Sequence, residues 1–176
     1  SLTDDDLKNK KIETKIIESN NQVFIFPQSR DWDLLFQNLG VDIKTTHFAA
    51  ELISFLSKLA NTSLKKSIFI HIRQNFFDVF IYQGSQLLLF NSFPHQDEEE
   101  FLYYLFFVLE QFYLKANQFE AVFLGKFLKY QSYYDAFKQF HLITNFTYPE
   151  NLEIDFNHPA PFFNYFYAYE NNIRKV

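Results

Sequence analysis

Ser67-Ile68-Phe69-Ile70-His71-Ile72-Arg73-Gln74-Asn75-Phe76-Phe77-Asp78-Val79-Phe80-Ile81-Tyr82-Gln83-Gly84-Ser85-Gln86-Leu87-Leu88-Leu89-Phe90-Asn91-Ser92-Phe93 decides the fold. Ile68, Ile70 and Ile72 alternate with Phe69, His71 and Arg73, and Phe77, Val79 and Ile81 alternate with Asp78, Phe80 and Tyr82. A period of two is the mark of strands, whose successive side chains point to opposite faces. Gln74-Asn75 and Gln83-Gly84 suit tight turns, so a three-stranded antiparallel meander is expected, its third strand running from Leu87 to Phe93. If both turns are two-residue, one face carries Ile68, Ile70, Ile72, Phe77, Val79, Ile81, Leu88 and Phe90, with no polar residue. Such a face needs helices packed on it. The opposite face is mixed and partly solvated, and it sets His71 directly across from Asp78, with Arg73 and Asn91 nearby.

Downstream, Asp97 followed by Glu100 forms a capping-box pattern that opens a helix over 98–114. Ala121 to Leu124 reads as a short buried parallel strand ending at Gly125, Tyr133 to Phe140 as a helix, and Leu142 to Thr147 as another strand. Pro159 is placed to start a last helix through Phe162, Phe163, Phe166 and Tyr169. The order βββαβαβα from residue 66 onward is that of a mixed sheet with helices on its faces. Upstream, residues 1 to about 13 are polar and read as a frayed start, and Val23 to Phe26 as a short strand ending at Pro27. A helix capped by Asp31 or Ser29 and closed by Gly40, an extended stretch Val41 to Thr46 and a helix Phe48 to Leu59 follow.

Composition narrows the function classes. The chain of 176 residues holds 25 Phe, 11 Tyr and 1 Trp, with 48% hydrophobic residues, enough for a large core and too many for disorder. A domain of this size leaves part of its surface uncovered, so contiguous exposed aromatics would mark an interface with another domain or subunit. Lys and Arg total 16 against 21 Asp and Glu, a net charge of −5, where a nucleic-acid binder shows a basic stripe. Lys8, Lys10, Lys11 and Lys15, with Lys65 and Lys66, read as solvated surface. The longest apolar run, Phe101 to Leu109, falls short of the ~20 residues that cross a bilayer. With no cysteine and no signal peptide in the sequence, a cytoplasmic protein is expected, binding neither nucleic acid nor membrane.

No motif for catalysis emerges. Asp97, Glu98, Glu99 and Glu100 sit where a helix N-terminus favours negative charge, which makes capping the simpler reading than metal binding. His71 and Asp78, with Arg73 beside them, could form an acid–base site, but a cross-strand pair explains them and no Ser, Cys or Lys stands ready as a nucleophile. His47, His95, His141 and His158 lack ligand spacing, so no metal is expected. Gly40, Gly84 and Gly125 are too dispersed for a phosphate cradle. The tail Phe162, Phe163, Tyr165, Phe166, Tyr167 and Tyr169 reads as a packing or docking helix.

Ser67 to Asp78, Tyr82 to Phe93, Glu100-Phe101-Leu102-Tyr103-Tyr104-Leu105 and Phe123-Leu124-Gly125 resemble an uncharacterised domain-of-unknown-function family from Bacteroidetes. The resemblance implies an α/β chain of the actin-like ATPase superfamily, in which two lobes are each built on an RNase H-like core. Residues 1–63 would be the closing part of the first lobe, and 64–176 the second lobe. Active relatives in that superfamily hold nucleotide phosphates with a hairpin reading Asp-x-Gly-x-x-(Thr/Ser), and here His71-Ile72-Arg73-Gln74-Asn75 stands in its place. The acidic residue and the glycine are both replaced, and the Arg73 side chain would fill the space that a phosphate needs. The expectation is a non-catalytic interaction or scaffold protein with no cofactor, whose aromatic surplus is covered by a protein partner or by the missing first lobe. The alternative is an ATPase or kinase-like enzyme using ATP with magnesium. There Arg73 and Asn75 would meet phosphate, Asp78 would hold the metal through water, Gly125 and Lys126 would line the base, and His71 would belong to the same nucleotide site. An RNase H-like nuclease needs convergent carboxylates on the central strands, and Ile68 to Arg73 carries none.

Overall fold

A computed structural model describes residues 10–17, 22–40, 47–60, 65–115, 118–125, 127–141 and 144–146. The chain divides into two compact units, residues 1–54 and 55–176.

In the first unit, β1 (Lys10–Ile17) and β2 (Gln22–Ser29) form an antiparallel ribbon, Lys10 opposite Ser29 and Ile17 opposite Gln22. Residues 10–13 are therefore strand and not a frayed start. Ile12, Thr14 and Ile16 alternate with charged neighbours, a period that their lysines and Glu13 disguise. On one face Phe24 and Phe26 lie 5.2 and 5.3 Å from the His47 ring, and Lys15 pairs with Glu51. On the other, Ile12, Ile16, Val23 and Ile25 are 55, 68, 58 and 64% exposed. The second strand runs through Pro27 to Ser29, since a two-stranded ribbon leaves one side of each strand unpaired and tolerates a proline there. Ser29, and not Asp31, caps α1 (Arg30–Asn38), accepting from the Asp31 amide at 3.3 Å. Gly40 closes the turn at φ 63°. The expected extended stretch at 41–46 lies outside the described residues. The helix α2 (Phe48–Ala60) buries Ala49, Ala50, Leu52 and Ile53 before the unit boundary and Phe55, Leu56 and Ala60 after it.

In the second unit, β3 (Lys66–Ile72), β4 (Phe76–Gln83) and β5 (Gln86–Pro94) form the antiparallel meander read from the alternation. The helix α3 (Glu98–Gln111) then leads to β6 (Phe119–Gly125), which runs parallel to β3, and α4 (Phe127–Lys138) leads to β7 (Thr144–Phe146), parallel to β6. The sheet order is β5-β4-β3-β6-β7, with β3 at its centre. Ile68, Ile70, Ile72, Phe77, Val79 and Ile81 meet Phe101, Leu105, Val108 and Leu109 of α3 and Tyr133 and Phe137 of α4 in one core. The apolar face is thus met by two helices, as its continuity required. The opposite face is more enclosed than the alternation implied: Phe69, Asp78, Phe80 and Tyr82 are all buried.

Two details depart from the two-residue-turn expectation. The second turn is Gly84-Ser85 and not Gln83-Gly84, because Gln83 is still in β4, opposite Gln86. A bulge lies between Ile81 and Tyr82, and the partner of Val79 is Asn91, that of Asp78 is Ser92 and that of Phe80 is Phe90. An extra residue in one strand turns every later side chain over. Phe90 therefore leaves the expected core face and stacks on Phe80 at 4.8 Å, while Leu89 and Phe93 join the core. The helix ends differ too. The expected 98–114 helix stops at Gln111, and the expected 133–140 helix begins at Phe127, with a kink at Tyr130, and ends at Lys138. The expected strand 142–147 is observed over 144–146, and the helix from Pro159 lies outside the described residues.

The start of α3 bears out the N-cap half of the capping box, the Glu100 amide donating to the Asp97 carboxylate at 2.8 Å; the Glu100 carboxylate accepts from the Gln96 amide at 2.9 Å, one residue before the cap. Replacing Asp97 by Ala is expected to cost about 1 kcal/mol, seen as a lower urea midpoint at constant slope. An unchanged midpoint would mean that the cap adds nothing to the helix.

Candidate functional site

The candidate residues converge at one end of the sheet. Ile72, the last residue of β3, is opposite Gly125, the last of β6, and the carboxyl ends of such parallel strands are where open α/β sheets bind ligands. His71 stands across from Asp78 in the register, as the alternation predicts. Arg73 follows β3 directly, and its amide donates to the Phe76 carbonyl at 2.8 Å, closing the turn that holds Asn75. His71, Arg73, Asn75, Asp78 and Gly125 are therefore neighbours along the sheet, and Lys126 lies outside the described residues.

Asp78 is the centre of this group and is fully buried. Arg73 grips it with a two-pronged contact, Nε to Oδ2 and Nη2 to Oδ1, both 2.8 Å. The fork geometry of the guanidinium matches the carboxylate, which makes this the strongest kind of charge-assisted pair. His71 Nδ1–H donates to Oδ2 at 3.1 Å, and the Ser92 hydroxyl donates to Oδ1. Burial raises the Asp78 pKa, but the hydrogen bonds from His71, Arg73 and Ser92 and the Arg73 charge outweigh it and hold the carboxyl below its ordinary 3.8. Arg73 also lies over the Phe76 ring, 5.7 Å from its centroid. The four polar side chains thus satisfy one another inside the sheet edge.

A second layer ties this turn to the helices. The buried His95 donates from Nε2 to the Arg73 carbonyl at 3.0 Å, and its own amide donates to the Asn75 carbonyl at 3.1 Å. With the Nε2 proton given to the Arg73 carbonyl, Nδ1 of His95 is left to accept from the Tyr133 hydroxyl, 3.1 Å away on α4. Burial, reinforced by the carboxylates of Glu98 and Asp97, pushes the Tyr133 pKa up and keeps that hydroxyl a donor. The turn between β3 and β4 is therefore held through both the Arg73 and the Asn75 carbonyls.

Sequence reasoning placed Asn91 beside the pair, whereas Ser92 occupies that place because of the bulge. It also counted His95 among scattered histidines, and nothing in the local pattern signals its contacts with residues 22 positions before and 38 after it. Among the described residues, no group of three His, Cys, Asp or Glu is placed to hold a metal ion. Also among them, no helix is long and apolar enough to cross a membrane.

The structure is similar to the crystal structure of a protein from Bacteroides thetaiotaomicron VPI-5482 with an actin-like ATPase fold and unknown function, with a TM-score of 0.72 and 23% identity. At that identity the likeness shows the fold: a mixed α/β chain of the actin-like ATPase type. The match covers 82% of this chain and 56% of the other, so this chain spans little more than half the neighbour's length. No curated protein matches the sequence. Residues 2–143 match the family described as protein of unknown function (DUF3822), and the chain belongs to that family.

Proposed function

We propose that this protein is a non-catalytic interaction or scaffold protein of the cytoplasm, built on an actin-like fold whose phosphate hairpin has become a structural lock. The observation that carries this reading is the closed group around Asp78. Its carboxylate is fully buried and takes up the Arg73 guanidinium, so neither charge is poised for a phosphate or a hydrated metal ion. The hairpin carbonyls are engaged by His95. The apolar outer face of the β1–β2 ribbon supports the interaction half of the reading. A two-stranded ribbon with exposed Ile12, Ile16, Val23 and Ile25 is marginal by itself in water, and such a row marks a surface that another polypeptide covers. That polypeptide is a protein partner or the missing part of a first lobe, in keeping with the 56% coverage of the neighbour.

Calorimetry of the protein with ATP and magnesium tests the reading. No saturable heat up to millimolar nucleotide is the expected result, and micromolar binding would overturn it. The competing nucleotide-dependent enzyme would bind ATP there and lose both binding and turnover in Arg73→Ala.

A further inference from the structure

The last turn of α3, the start of β6 and the end of α4 line an open pocket of about 460 Å³, within the roughly 300–1,000 Å³ that holds small-molecule ligands. It is lined at Phe119, the first residue of β6, whereas the Asp78 group lies at the Gly125 end. Six residues of strand at ~3.3 Å each put about 20 Å between them, so this is a separate place on the lobe. Leu109, Phe119, Phe137 and Phe140 supply apolar walls. His141, only 2% exposed, lies flat against Phe119, with centroids 4.1 Å apart and planes 8° apart.

Tyr113 at the rim is the second observation. It is 88% exposed and has φ 52°. It follows the C-cap of α3, where Tyr113 N–H donates to the Glu110 carbonyl and Leu114 N–H to that of Leu109, both at 2.9 Å. This is the helix-end position that glycine fills without steric cost and a tyrosine does not. Among the described residues, the other positive-φ positions, Gly40 and Gly84, are glycines. At this one an aromatic ring is kept in solvent, at a conformational cost, beside an aromatic pocket.

We propose that this pocket binds a planar, largely apolar small molecule, with Tyr113 closing over it from the rim. Ring faces favour a flat guest, which can stack as the Phe119–His141 pair already does or meet a ring edge-on. Lys115 and Glu110 are the charged groups of the lining, one of each sign, and leave the affinity to the rings.

Fluorescence titration of the 176-residue chain with 8-anilino-1-naphthalenesulfonate is the test. A single saturable site is expected, displaced by 1-naphthoate and far more weakly by dodecanoate. Tyr113→Gly should raise the melting temperature by relieving the left-handed strain while weakening dye binding roughly five- to tenfold through loss of one ring contact. A purely structural tyrosine would move stability alone. Leu114→Trp, which fills the pocket, should abolish binding. Three results would overturn the proposal: no saturable site, binding unchanged in both variants, or binding lost instead in Ile16→Lys/Ile25→Lys on the β1–β2 ribbon. Equal displacement by dodecanoate would overturn the planar guest.

Discussion

Arg73→Met is expected to cost about 3–5 kcal/mol of folding stability, because it leaves the buried Asp78 carboxylate without its guanidinium. At roughly 2–4 °C per kcal/mol for a chain of this size, thermal unfolding should fall by about 6–20 °C. Arg73 itself is 35% exposed at the side chain and can return to water when Asp78 is removed, so the two single changes are not equivalent. Arg73→Met/Asp78→Leu should recover about half of the loss, since removing both partners leaves no uncompensated charge. The same group sets an acid limit. The folded pKa of Asp78 is below the ordinary 3.8, so its stabilisation is complete above that value and is lost as pH falls through the lowered folded value. In Arg73→Met burial gains on the remaining hydrogen bonds, the folded pKa rises, and acid unfolding should begin at a higher pH. An unchanged melting temperature and acid midpoint would show that the guanidinium is not what neutralises Asp78.

Phe101→Ala should lower stability by about 3–5 kcal/mol, measured by urea unfolding. Its ring is fully buried and lies 4.8 Å from that of Phe77, 5.4 Å from Tyr133 and 6.2 Å from Phe123, so the cavity would open where β4, β6, α3 and α4 meet. Phe107, six residues on along the same helix and 50% exposed, is the control: Phe107→Ala should change stability by less than about 0.5 kcal/mol. Equal losses in the two variants would contradict the orientation of α3. Because Phe101 contacts Tyr133, which holds His95, its removal should also couple with His95→Leu, so that the double variant departs from additivity.

The two-residue period of Ile68 to Tyr82 and the capping pattern at Asp97 are local signals, and they are enough to recover the meander, the central strand and the start of the helix α3 that covers it. The pairing of His71 with Asp78 followed from the same period. The strand Lys10–Ile17 was missed because charged residues alternate with its isoleucines, and charge reads as loop until a partner strand is known.

What the residues determined by themselves was the kind and order of the elements, since strand period, helix caps and turn residues act within a few positions. Only the tertiary structure decided the site. A bulge of one residue exchanged Asn91 for Ser92 beside Asp78, and His95 met Arg73 and Tyr133 across long separations in the chain. Burial of the Asp78 face was likewise a matter of what stacks on it, because alternation tells which side a residue takes and not what covers that side. Whether Arg73 faces a ligand or a carboxylate depends on that packing, and packing is a property of the assembled sheet.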